Sequence, residues 1–120
     1  MGYQELIKKV QIYSGLSVIE SKDALDALVE TLAVRLDETE RRDFATYLPE
    51  ELQDMALAVY PSAENTSKDI LAQFMEFQNV NASGARKQIM SAWQALKDTV
   101  ALTEIERLRT ELPRLNHILR

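Results

Sequence analysis

The sequence predicts an all-helical fold, a helical bundle of two related four-helix halves with a shared core. Three observations carry that prediction. Apolar residues recur at helical spacing along most of the chain. Glycine and proline number three each and fall where helices should stop or start. The order of apolar positions then repeats once, at an offset of 64 residues.

In the first half, Leu6, Ile7, Val10 and Tyr13 form a helical stripe, and Gly15 supplies the left-handed conformation that ends helices. Ser17 and Glu20 make a capping-box pattern, hydroxyl and carboxylate each satisfying a free backbone N–H at a helix start. Behind them Ala24, Leu25, Leu28, Val29, Leu32 and Leu36 run at steps of three and four, which predicts a longer second helix. Asp37 to Glu40 is a polar break. A short helix follows through Phe44, with Thr39 expected as its N-cap and Glu40 in its first turn. It must end before Pro49, because a proline pushes the preceding residue out of helical geometry. Pro49 suits the first position of a fourth helix, with Glu50 and Glu51 favoured by the dipole there and Leu52, Met55 and Val59 facing inward.

Residues 61–66 read as a short polar linker between halves 1–60 and 65–120 of a single domain. Sliding the chain by 64 positions places Leu6 on Ile70, Val10 on Phe74, Tyr13 on Phe77, Leu25 on Ile89, Val29 on Trp93 and Leu32 on Leu96. Gly15 falls on Asn79, both tolerant of left-handed geometry, and Ser17 on Asn81, both good N-caps. Only six of 56 aligned pairs are identical, but five of them make one pattern. They are Thr39-Glu40, Thr46 and Leu48-Pro49 against Thr103-Glu104, Thr110 and Leu112-Pro113. The last helix of the second half is expected to be short, since the chain stops at Arg120.

Composition narrows the function. With 46% hydrophobic and 28% charged residues the chain should fold as a globular domain, and without cysteine it has no disulfide or thiolate chemistry. The opening residues enter a charged amphipathic pattern with no apolar leader, so the expected location is cytoplasmic. No apolar run approaches the roughly 18 residues of a membrane span. A formal net charge of −5 argues against a protein that coats nucleic acid. The acidity belongs to residues 1–60, which hold 6 basic and 12 acidic side chains, against 8 and 7 in the remainder.

Gly15-Leu16-Ser17 between two amphipathic helices, Leu28-x-x-Thr31-Leu32-x-x-x-Leu36, and Tyr47-Leu48-Pro49-Glu50-Glu51-Leu52 with a weaker second copy together resemble a bacterial family. It is catalogued as domain of unknown function 2267. The resemblance spans essentially the whole chain and implies an all-helical bundle, with no activity, cofactor or catalytic residue to transfer. The second copy departs from the pattern at Leu112-Pro113-Arg114-Leu115, which lacks the acidic pair. From Glu5 to Leu36 the chain is also similar to the opening helix pair of histone-like nucleoid proteins. That likeness implies dimerisation more than DNA binding, since the basic β-arms of those proteins have no counterpart here.

The candidate sites read mainly as structural. His117, the single histidine, has no near partner of the triad or metal type. Glu40 and Glu104 fit helix first turns better than acid–base chemistry, and Trp93 and the Phe74-Phe77 pair fit the core. Arg41 and Arg42, with Arg107, Arg109, Arg114 and Arg120, are the basic concentrations, read as solvated faces or as a partner surface. No phosphate loop, metal cluster or nucleophile elbow occurs, so no cofactor, metal or catalytic residue is expected and the chain reads as a non-enzyme. The expected function is a helical protein–protein interaction or self-association module. The alternative is a nucleic-acid-associated accessory protein that uses the C-terminal arginines.

Overall fold

A computed structural model of the chain describes residues 2–59 and 69–111. These residues form helices α1 (Tyr3–Ser14), α2 (Val18–Ala33), α3 (Glu38–Thr46), α4 (Glu50–Ala58), α5 (Ile70–Gln78), α6 (Ala82–Thr99) and α7 (Leu102–Glu111), with no strand among them. The fold is all-helical, as the periodicity predicts. The linker at 61–66, Pro113, Arg114, His117 and Arg120 lie outside the described residues.

Local chemistry sets most helix ends. Gly15 closes α1 at φ +75°, its N–H bonded to the Gln11 carbonyl, and Asn79 closes α5 at φ +53° in the same left-handed well. The Ser17–Glu20 box opens α2 reciprocally: the Glu20 N–H donates to Ser17 Oγ at 3.1 Å and the Ser17 N–H to Glu20 Oε1 at 3.3 Å. Asn81 opens α6, its side chain accepting the Gly84 N–H at 2.8 Å.

At α3 the expected cap is displaced. Asp37, not Thr39, is the N-cap, and it forms a second capping box with Glu40. A carboxylate three residues ahead of Glu40 satisfies both orphan donors, which leaves Thr39 inside the first turn. Thr103 is likewise inside α7, which begins at Leu102. Pro49 is the N-cap of α4 rather than its first helical residue, a shift of one position. The leucine before it, Leu48, is buried as expected.

Helices α2 and α6 pack against each other at the centre, and α1 and α5 each pack on both of them. Helix α4 lies against α2 and α3. The two central helices open at Val18 and Ala82, α3 and α7 at Glu38 and Leu102, and α1 and α5 end at Ser14 and Gln78; each pair is 64 positions apart. Leu25, Leu28, Leu32, Ile89, Trp93 and Leu96 are all buried in one continuous cluster with Leu6, Val10, Phe44 and Phe74.

Phe77 departs from the core expectation. It is 47% exposed, as is its positional counterpart Tyr13 at 45%. Both stand in the last turn of a flanking helix, at the outer edge of the stripe that buries Leu6, Val10, Ile70 and Phe74.

Candidate functional site

Among the described residues, the arginines singled out by the sequence, Arg41, Arg42, Arg107 and Arg109, do not gather into one basic surface. Arg41 is buried, and its side chain reaches back to the end of α2. Its Nε donates to the Ala33 carbonyl at 3.0 Å and its Nη2 to the Leu36 carbonyl at 2.7 Å. It therefore caps α2 with a fixed positive charge at the negative end of the dipole, a structural duty. Arg42 is exposed and paired one turn back with Glu38 at 2.6 Å. The groove beside these two arginines, of about 590 Å³, is also lined by Asp37 and Glu38, so carboxylates offset the guanidinium charge.

Arg107 ties α7 to α3. Its guanidinium holds the buried Glu104 carboxylate, donates to the Glu40 carbonyl at 3.3 Å and lies 3.9 Å from Asp43. The hydrogen bonds that Arg107 donates to the Glu104 carboxylate raise the Arg107 pKa above its ordinary value. Glu104, expected in a helix first turn, is there, and it is buried and ion-paired. Arg109 lies over the Trp93 ring, 5.9 Å from its centroid, a cation–π distance. Four of the six arginines are thus engaged within the fold, and Arg114 and Arg120 fall outside the described residues.

Two carboxylate clusters stitch the outer helices to the centre. Between α1 and α2, Asp26 accepts the Tyr3 hydroxyl and the Lys22 ammonium at 2.8 Å, and Lys22 lies over the Tyr3 ring. Burial, then the bond to Asp26, pushes the Tyr3 hydroxyl up to about 12. Between α1 and α6, Asp98 accepts the Tyr13 hydroxyl and stands 3.6 Å from the Lys9 ammonium. The Tyr13 hydroxyl holds the Asp98 carboxyl below its ordinary range. Among the described residues no group of histidines and acids is placed to hold a metal ion.

The surface that stands out instead is apolar. Around the turn from α1 to α2, Ile12 is 68% exposed and Ile19 73%, with Tyr13 and Val18 also exposed. Single exposed apolar residues are ordinary, but four within eight positions at one corner are not scattered. The corresponding positions on α5 and α6 carry Glu76 for Ile12, Ala82 for Val18 and Ser83 for Ile19. Phe77, for Tyr13, is the one position with a large apolar side chain exposed at both corners, so this geometry folds without large apolar residues at the other three positions. The signal was present in the sequence: Ile12 is off the Leu6, Ile7 and Val10 stripe, and Val18-Ile19 precede the inward face of α2 that begins at Ala24.

A model of the family described as an uncharacterized conserved protein (DUF2267) matches residues 3–117. The chain belongs to that family. No curated protein and no solved structure matches it. No described helix is long and apolar enough to cross a membrane.

Proposed function

We propose that this protein is a helix-mediated self-association module without catalytic activity, and that two copies meet through the corner between α1 and α2. One observation carries the reading: Ile12, Val18 and Ile19 are exposed where the three matching positions on α5 and α6, Glu76, Ala82 and Ser83, are polar or small. Burying such side chains yields about 1.5–3 kcal/mol each, and an apolar patch is complementary to itself, as a two-fold contact requires. Arg41 and Arg107 do not compete for the role, since they hold helix ends and carboxylates inside the fold.

The same reading takes residues 1–60 and 65–120 as two copies of one four-helix unit. The shared 64-residue spacing of helix starts and ends supports it. On this view the second unit kept the fold while the first acquired the sticky corner.

Light scattering across a concentration series, paired with duplex DNA titration at low and moderate salt, tests the function. A mass that doubles with concentration and no DNA binding are expected. A monomer at every concentration would remove the proposal. So would tight DNA binding that weakens steeply with salt, the mark of phosphate contacts.

A further inference from the structure

A cleft of about 300 Å³ opens between α2, α4 and α5, lined by Glu30, Val34, Met55, Ala58, Val59, Gln73 and Phe77. Its walls are apolar but for one carboxylate and one amide. The Gln73 amide oxygen is already taken by the Arg35 guanidinium, which also donates to the Thr31 carbonyl at 2.7 Å. Among the described residues the Glu30 carboxylate has no hydrogen-bond or ion-pair partner, and burial, with a smaller effect from Asp26, raises its pKa. An unpaired carboxylate half removed from water is costly unless something binds it.

The fold shows elsewhere what such a junction takes. The position matching Gln73 on α1 is Lys9, Phe77 matches Tyr13, and Glu30 and Val34 match Gln94 and Asp98 on α6. At that matching junction an ammonium, an aromatic side chain and a carboxylate come together as Lys9, Tyr13 and Asp98. Lys22, Tyr3 and Asp26 repeat the combination between α1 and α2. In the cleft an aromatic ring stands at the matching position as Phe77 and a carboxylate one helical turn before the Asp98 position as Glu30, while Gln73, which holds the Arg35 guanidinium, stands where the lysine would be.

We propose that the cleft binds a small protonated primary amine bearing an alkyl chain, its ammonium on the Glu30 carboxylate and its chain against Val34, Met55, Val59 and Phe77. The volume is at the lower end for small-molecule sites, which suits a short chain. The Phe77 ring adds a face attractive to the cation, and the charge-assisted bond to Glu30 selects ammonium over a neutral head group. The site is separate from the α1–α2 corner, so it stands or falls independently of self-association.

Titration of the full chain with hexylammonium chloride, followed by methyl and amide NMR, tests the site, with hexanol as the neutral control. Saturable shifts at Val34, Met55 and Val59 are expected, with hexanol weaker by about tenfold or more, a difference of about 1.4 kcal/mol. Glu30→Gln should cut hexylammonium affinity by about tenfold without lowering the melting temperature. Phe77→Ala should weaken binding with Glu30 in place. Absence of saturable shifts in the cleft, equal binding of hexanol, or unchanged affinity in Glu30→Gln would overturn the proposal. Should Glu30→Gln fail to fold, the comparison of hexylammonium with hexanol on the unaltered protein decides.

Discussion

Asp43 and Arg107 are 64 positions apart in the chain and 3.9 Å apart in space, so matching sites on α3 and α7 meet each other directly. One position carries an acid in the first half and a base in the second, and the pair, with Glu104, joins the two helices.

Arg107→Ala should therefore be costly. It leaves the Glu104 carboxylate, 4% exposed, without its counterion. Removing one partner of a buried pair costs about 3–5 kcal/mol, and with the Arg107 side chain 26% exposed the loss is expected at the low end of that range. Arg42→Ala, which removes an exposed pair with Glu38, should change it by less than about 0.5 kcal/mol. Urea denaturation of both variants reads the difference, and equal losses would show that the Glu104 pair is not special.

Leu48, directly before Pro49, is buried in the core cluster. Leu48→Ala is expected to cost about 2–4 kcal/mol, the usual range for a buried leucine. A loss below about 0.5 kcal/mol in chemical denaturation would mean that the site is solvent-exposed in solution.

The left-handed helix ends separate backbone strain from packing. A Cβ at Gly15 meets nothing within 4 Å, so Gly15→Ala pays only for its φ of +75°, about 1–2 kcal/mol. Asn79→Gly relieves the same conformation on α5 and should be neutral or slightly stabilising. Thermal melts of the two variants should move in opposite directions or differ clearly in size.

Tyr3 gives a pH dependence with a definite sign. Its hydroxyl is raised from 10.0 to about 12 in the folded state, so the stabilisation is complete below pH 10 and is lost as pH rises through 12. Tyr3→Phe should be less stable than the parent at neutral pH by about 1 kcal/mol, the worth of the bond to Asp26. The gap should narrow as denaturation is repeated up this alkaline window. A gap that widens there would contradict the raised hydroxyl.

What the sequence disclosed was mostly local. Gly15, Asn79, Ser17 with Glu20, and Asn81 act through backbone groups within a few residues, and each does in the structure what its type and spacing suggest. Asp37 displaced Thr39 because two caps competed within three positions and the carboxylate formed the reciprocal pair. Arg41 reads in the sequence as a surface charge because its partners are carbonyls at the end of another helix, which side-chain patterns do not show. The Glu30 cleft was illegible for a similar reason: α2, α4 and α5 each contribute part of it, and no one of them carries a motif. The apolar corner was legible in principle, as residues off the buried stripe, but only the fold separates exposed from merely peripheral.

Self-association through the corner between α1 and α2 is tested most directly by sedimentation velocity of the parent chain against Ile12→Asp/Ile19→Asp. Both side chains are largely exposed, so the double change should leave the fold and its helical spectrum intact. The parent is expected to sediment as a dimer at high concentration and the variant as a monomer throughout. A parent that never dimerises, or a folded variant that dimerises as well as the parent, would contradict the claim.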